Sequence, residues 1–244
     1  MGWTVGKAPK VDVDKKYIPR FARYATTYTK LSVIGLSEYK CALLLDADTL
    51  VVGSLDDFLG CDVFDKPAYR VAGTLDYYHG KWYHFNTGSL LWRTSVGEMG
   101  RIFNLTRDES FMRRFESDQI FLNTAYPDRT DVTKNLKILE GDLGQENWGQ
   151  VVPLPWIFNA QTHVEVQLPE YWNKNLHDVK IIHFTEKKGW QCPERHGSAP
   201  PLEEMPEKCD KTIPICFCRE GYRWWDSLDE AEQIIKAKSL RPLN

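Results

Sequence analysis

The sequence predicts an α/β fold, with a mixed, mostly parallel sheet flanked by helices and polar residues gathered where strands end. Cys41–Leu45, a short apolar run bounded by charge, has the form of a strand buried on both faces, and Val179–Phe184 reads as a strand ending in a histidine. Segments with helical spacing separate them, the longest being Val96–Phe115, with Met99, Ile102, Phe103, Phe111, Met112 and Phe115. Asp46 and Asp48 follow the first run and His183 stands near the end of the second, and α/β sheets carry their sites at the carboxyl edge of the strands.

Taken in order, Arg23–Leu36 shows helical spacing through Tyr24, Tyr28, Leu31 and Ile34. Cys41–Leu45 reads as a central parallel strand, and Ser54–Leu59 as a turn of helix with Ser54 as its N-cap. Val71–Leu75 is the next strand. His84–Trp92 reads as a loop leading into a strand, and Val96–Phe115 as a helix broken near Arg107. Another helix opens at Asp118 and runs to Thr124. The chain then reads as irregular from Gln191 until Ser227–Ala237, which has helix composition. The expected division is a catalytic domain over 1–190 and a cysteine-containing tail with a terminal helix over 191–244.

With 244 residues, the chain can hide roughly 70–75% of its unfolded surface and form a substantial core. A formal net charge of −3 gives no field for gathering nucleic acid or an anionic membrane. No stretch reaches the roughly 18 apolar residues of a membrane span, and Met1-Gly2-Trp3-Thr4-Val5 lacks the pattern of a signal peptide. Of the six cysteines, Cys192, Cys209, Cys216 and Cys218 fall in the last quarter, where disulfides and a bound zinc ion both fit. Cys41 reads as core packing. Asn104-Leu105-Thr106 matches an N-glycosylation acceptor inside a predicted helix. With the cysteine-rich tail it points to a secretory lumen such as the Golgi rather than the cytoplasm.

The chemistry centres on Leu45-Asp46-Ala47-Asp48-Thr49. Two carboxylates just past a buried strand are hard ligands for Mg²⁺, Mn²⁺ or Ca²⁺, and without a cation they repel each other. A neutral His183 imidazole can complete such a site and tilts it toward Mn²⁺, with Mg²⁺ as the alternative. Lys187 and Lys188 follow closely, in reach of a diphosphate held by the same metal. Asn86-Thr87-Gly88 and Asp118-Gln119 offer groups suited to sugar hydroxyls, although a turn glycine and a helix N-cap aspartate explain them equally well.

Six blocks follow one another: Tyr28-Thr29-Lys30-Leu31, Leu45-Asp46-Ala47-Asp48-Thr49-Leu50, Phe85-Asn86-Thr87-Gly88, Asp118-Gln119 with Leu122-Asn123, Leu154-Pro155-Trp156-Ile157-Phe158-Asn159, and Ile182-His183-Phe184 with Lys188 and Trp190. In this order, over Thr27–Trp190, they resemble glycosyltransferase family 8, the glycogenin and galactinol synthase group. The resemblance implies a GT-A-type fold and retaining transfer of a hexose-type sugar from a UDP-sugar to an acceptor hydroxyl. Asp46, Asp48 and His183 match the family's manganese ligands. Lys30 matches a lysine reaching toward the donor, and Lys188 one near the diphosphate. Asn86, Asp118 and Gln119 match residues around the transferred sugar and acceptor, with Asp118 and Gln119 as the catalytic candidates. Ala47 and Gly88 belong to the nucleotide-sugar blocks, Asn159 matches an amide on the acceptor side, and a homodimer is an assembly this likeness leaves open.

The sequence departs from the family pattern in three places. The closing block reads Glu186-Lys187-Lys188-Gly189-Trp190 rather than a glycine and Lys-Pro-Trp. Thr162–Tyr171 does not match the self-glucosylated tyrosine region of glycogenin, which favours another acceptor. The family's opening strand–helix units, on the order of 50 residues, have no counterpart before Trp3-Thr4-Val5. The expectation drawn from this is an N-terminally incomplete domain, with a catalytically impaired glycosyltransferase-like binding subunit or fragment as the alternative. A phosphatase that also begins with Asp-x-Asp wants Thr or Val where Leu50 stands.

Overall fold

The computed structural model describes residues 8, 11, 13, 27–78, 81–112, 117–126, 149–185, 188, 224 and 226–234. Trp3-Thr4-Val5 and the four tail cysteines lie outside these residues, as does the boundary drawn at 190/191. The fold is mixed α/β, and the chain divides into two compact units. The first comprises Met1–Asp46 and Ser54–Phe158, the second Ala47–Gly53 and Asn159–Asn244.

The first unit is built on a four-stranded sheet of order β1-β4-β3-β5, formed by β1 (Cys41–Leu45), β3 (Val71–Tyr78), β4 (Lys81–Arg93) and β5 (Val151–Leu154). Side chains alternate across a strand, and here both alternating sets are covered. Leu44, Val71, Leu90, Trp92 and Val151 belong to one apolar cluster, with Tyr28, Leu31 and Ile34 of the 3-10 helix Thr27–Gly35 and with Ile102, Met112, Phe121 and Leu122. Cys41, Leu43, Ala72, Leu91, Val152 and Leu154 belong to another, with Phe64, Tyr69 and Phe158. The expectation of strands covered on both faces holds for β3, β4 and β5, whereas β1, expected as a central buried strand, lies at the edge of this sheet among the described residues with all five residues only partly buried.

Strand direction differs from the expectation for β1. It pairs antiparallel with β4, from Cys41 opposite Arg93 to Leu45 opposite Ser89. Among the described residues, three strand pairings are antiparallel and two parallel. An apolar run records burial, not direction; direction is set by a partner some fifty residues further on. The loop expected before Trp92 is strand from Lys81, because β3 and β4 form a hairpin with irregular register between Gly73 and Tyr77.

Helix α1 (Asp56–Leu59) starts one residue later than expected, with Leu55 at the N-cap. The Ser54 hydroxyl still accepts from the Asp56 N–H at 3.2 Å, so the sequence signal was a turn just before the helix. Cys41, expected as simple core, is disulfide-bonded to Cys61, with Cα atoms 5.9 Å apart. The helical stretch expected to break near Arg107 does so, into α2 (Val96–Leu105) and α3 (Glu109–Met112). The Asp108 carboxylate accepts from the N–H groups of Ser110 and Phe111 and restarts the helix. Helix α4 (Asp118–Ala125) is capped by Ser117, whose hydroxyl accepts from the Ile120 N–H, so Asp118 is inside the helix rather than its cap.

The second unit holds a three-stranded sheet of order β2-β7-β6, formed by β2 (Thr49–Val51), β6 (Ala160–Gln161) and β7 (Ile181–His183). Helices α5 (Thr162–Gln167) and α6 (Pro169–Asn175) fill the connection between β6 and β7, and α6 opens on a proline, whose missing N–H costs nothing there. Val164, Trp172, Val179, Ile181, Ile182 and Phe184 are buried. Residues 226–234 are helical, overlapping the stretch expected over Ser227–Ala237. No helix among the described residues is long and apolar enough to cross a membrane.

Candidate metal and sugar site

The Asp46-Ala47-Asp48 turn carries the chain from the first unit into the second. It follows β1, and the Asp46 N–H donates to the Gly88 carbonyl at 2.8 Å, extending the β1–β4 ladder to the motif itself. Ala47 is exposed, and both aspartates are partly buried.

On the first unit, Lys30 is the hub. Its ammonium donates to Asp46 Oδ1 at 3.0 Å and to the Thr87 carbonyl at 3.2 Å, and it lies 2.6 Å from Asp118 Oδ2. Burial alone would lower the lysine pKa, but the charges of Asp118 and Asp46 outweigh it and hold the group above its ordinary value. Asp118 also accepts from the Thr87 hydroxyl at 3.2 Å. The Tyr28 hydroxyl is pushed up by burial and by the charge of Asp118. Gln119 accepts from the Thr87 N–H at 3.3 Å and donates to Asp76 Oδ2 at 2.7 Å. Asn86 turns its side chain back on its own strand, with Oδ1 accepting from the Gly88 N–H at 2.9 Å.

On the second unit, Asp48 precedes β2, and its carbonyl accepts from the Phe184 N–H at 2.9 Å, next to the pairing of Thr49 with His183. Asp48 Oδ1 lies 3.5 Å from His183 Nε2, and its Oδ2 accepts from Lys188 at 2.5 Å. Burial would raise the carboxyl pKa, but His183 and Lys188 together hold it well below the usual carboxylate range. Lys188 also donates to the Phe184 carbonyl at 2.6 Å, a local bond that fixes where the ammonium sits. His183 Nδ1 is 3.0 Å from Asn159 Oδ1.

Asp48 Oδ1 and His183 Nε2 face each other on the second unit, and Asp46 stands two residues before Asp48 in the same acidic turn. Two carboxylates and an imidazole are a donor set that fits a hard or borderline divalent cation. The repulsion argued from sequence is offset differently, because each aspartate already has a lysine beside it. Lys30, Asp118, Gln119 and Asn86 come together around Thr87, while Asn159 lies against His183. Asp76 escaped the sequence reading altogether, while Thr87 and Asn123 entered it only as members of the blocks Phe85-Asn86-Thr87-Gly88 and Leu122-Asn123, without a role of their own. The Asn123 carboxamide accepts from the Phe85 N–H at 3.0 Å and donates to the Phe85 carbonyl at 2.8 Å, clamping β4 beside Asn86. The signal available was the spacing of Asn123 one helical turn after Gln119.

No protein-family model matches the chain. It is 28% identical over 192 residues to inositol phosphorylceramide glucuronosyltransferase 1 of Arabidopsis thaliana, covering 75% of this chain and 32% of that protein. It is 25% identical over 211 residues to glycogenin-1 of Mus musculus, covering 82% of this chain and 51% of that protein. The chain thus spans about a third to a half of the length of these curated relatives. Among solved structures it resembles the glycosyltransferase GlyE of Streptococcus pneumoniae at 16% identity, covering 84% of this chain and 47% of that one, with a TM-score of 0.46. The family 8 glycosyltransferase resemblance carried by the six sequence blocks is met again in the similarity to glycogenin-1 and the plant glucuronosyltransferase.

Proposed function

We propose that the chain carries the catalytic region of a retaining glycosyltransferase that moves a hexose-type sugar from a UDP-sugar to an acceptor hydroxyl, using Mn²⁺, with Mg²⁺ as the alternative. The observation that carries this reading is the pairing of Asp48 with His183, 3.5 Å apart, with Asp46 two residues before Asp48 in the same acidic turn. The similarity to two glycosyltransferases supports the reaction class. When bound, the cation would neutralise charge on the departing diphosphate.

The protein's own groups supply the rest. Lys188 and Lys30, already fixed beside the aspartates, add positive charge where the leaving group gathers negative charge. Thr87, Asp118 and Gln119 form one hydrogen-bonded assembly, so the two catalytic candidates are pre-set rather than mobile. Asn86 and Gly88 shape the strand at the same point, and the exposed Ala47 lets a ligand approach the backbone of the turn. The Cys41–Cys61 disulfide supports placement in a secretory lumen, since such bonds persist in oxidising compartments.

The test is a panel of UDP-sugars with Mn²⁺, scoring transfer and hydrolysis for the wild type, Asp48→Asn and His183→Ala. Metal-dependent turnover in the wild type and its loss in both variants is expected. Unchanged turnover in Asp48→Asn defeats the assignment. UDP binding that needs Mn²⁺, without turnover of any sugar, favours the binding-subunit alternative.

A further inference from the structure

We infer that Asn159 is a positioning residue for His183, selecting the imidazole tautomer whose Nε2 lone pair faces the metal position; the inference rests on the metal-centred reading above. Asn159 is wholly buried, at 0% exposure, and His183 nearly so at 6%. A side chain with no exposed surface meets no soluble acceptor without movement, so its task is sought among its neighbours. It directly precedes β6, whose Ala160 and Gln161 pair in parallel with Ile182 and His183. Backbone pairing therefore fixes the carboxamide beside the imidazole before either side chain acts.

Asn159 Oδ1 lies 3.0 Å from His183 Nδ1. A carbonyl oxygen only accepts, and a neutral imidazole has a single N–H. Nδ1 must then carry the hydrogen and donate it to Asn159, which leaves the lone pair on Nε2. That nitrogen is the one 3.5 Å from Asp48 Oδ1. Lys188 already balances the Asp48 charge, and a divalent cation entering between these two atoms would meet a lone pair from each. A hydrogen-bond acceptor on the far ring nitrogen is the arrangement that orients a ligating histidine and raises its basicity.

The experiment joins two readouts on the metal-free chain. Nitrogen-15 NMR of the imidazoles reports the His183 tautomer, and calorimetric titration with Mn²⁺ alone reports affinity. The wild type is expected to hold the Nδ1–H form. Asn159→Leu, similar in size but without an acceptor, should populate the Nε2–H form and weaken Mn²⁺ binding by about ten- to hundred-fold. Asn159→Asp keeps the acceptor and should retain both the Nδ1–H form and the binding. A wild type in the Nε2–H form, or Mn²⁺ binding unchanged in Asn159→Leu, overturns the inference. Should Asn159→Leu not fold, loss of the Nδ1–H form in a folded Asn159→Asp overturns it equally. A wild type with the Nδ1–H form that takes up no Mn²⁺ overturns the metal reading itself, and the intact tautomer identifies that failure as the separate one.

Discussion

Lys30 Nζ lies 2.6 Å from Asp118 Oδ2, an ion pair in which the two side chains are only 13% and 8% exposed. The same ammonium reaches Asp46, so one lysine balances the acidic motif and the helix that carries the catalytic candidates. A buried charge left without its partner is more costly than the pair is favourable.

Lys30→Met should therefore cost about 3 kcal/mol of unfolding free energy, measured by urea denaturation at pH 7. Lys30→Met with Asp118→Asn should recover part of that loss, because the stranded carboxylate is gone. The raised pKa of Lys30 sets the sign of the pH effect. Its contribution is fully present below the unfolded value near 10.5 and is lost as pH rises through the higher folded value. The variant and the wild type should accordingly converge in stability only in strong alkali.

Legibility from sequence followed the range of the interaction. The break between α2 and α3 was readable because Asp108, Ser110 and Phe111 settle it among themselves. The burial of Tyr28, Leu31 and Ile34 was readable from their spacing. The antiparallel direction of β1 was not, since it depends on β4. The counter-charges of the aspartates were likewise hidden: Lys188 is 140 residues from Asp48, and no local pattern records that pairing. The candidate ligands Asp46, Asp48 and His183 were readable from two carboxylates past one apolar run and an imidazole near the end of another, a pattern the family likeness repeats. The placement of Asn159 against His183 needed the β6–β7 pairing.

The Cys41–Cys61 bridge closes a loop of 20 residues around α1 and anchors the start of the strand that ends in the acidic turn. Replacing both cysteines by alanine should lower unfolding free energy by about 3 kcal/mol, read from denaturant midpoints. Thiol counting under denaturing, non-reducing conditions should find neither residue reactive in the wild type. Full labelling of Cys41 would remove the bridge from the account.

Glu98 gathers two donors on one carboxylate oxygen, the Tyr126 hydroxyl at 2.6 Å and the Arg101 guanidinium at 2.7 Å. Burial would raise its pKa, but Arg101 and Tyr126 lower it below the ordinary 4.5. A carboxyl whose folded pKa is depressed contributes stability above its unfolded value and loses it as pH falls through the folded one. Glu98→Gln should thus cost about 1 kcal/mol at pH 7, a modest figure because Arg101 is partly solvated. The gap between variant and wild type should close as pH falls below the ordinary 4.5 and through the lower folded value, as followed by thermal unfolding across pH.

Gln119 makes the sharpest case because its two ends do opposite things: Oε1 accepts from the Thr87 N–H, and Nε2 donates to Asp76 at 2.7 Å. Gln119→Glu keeps the shape and the acceptor but replaces the donor with an anion against an anion. At that separation two carboxylates cannot both ionise without penalty, and one of them takes up a proton at higher pH than usual. The variant should be less stable than wild type by about 2 kcal/mol at pH 7, and the difference should shrink as pH falls toward 5, the reverse of ordinary acid destabilisation. Gln119→Leu removes both bonds without adding charge, so its penalty should not change with pH over that interval. A pH-independent penalty in Gln119→Glu would show that Asp76 does not face residue 119 in solution, and the pre-set arrangement of the catalytic candidates would lose its support.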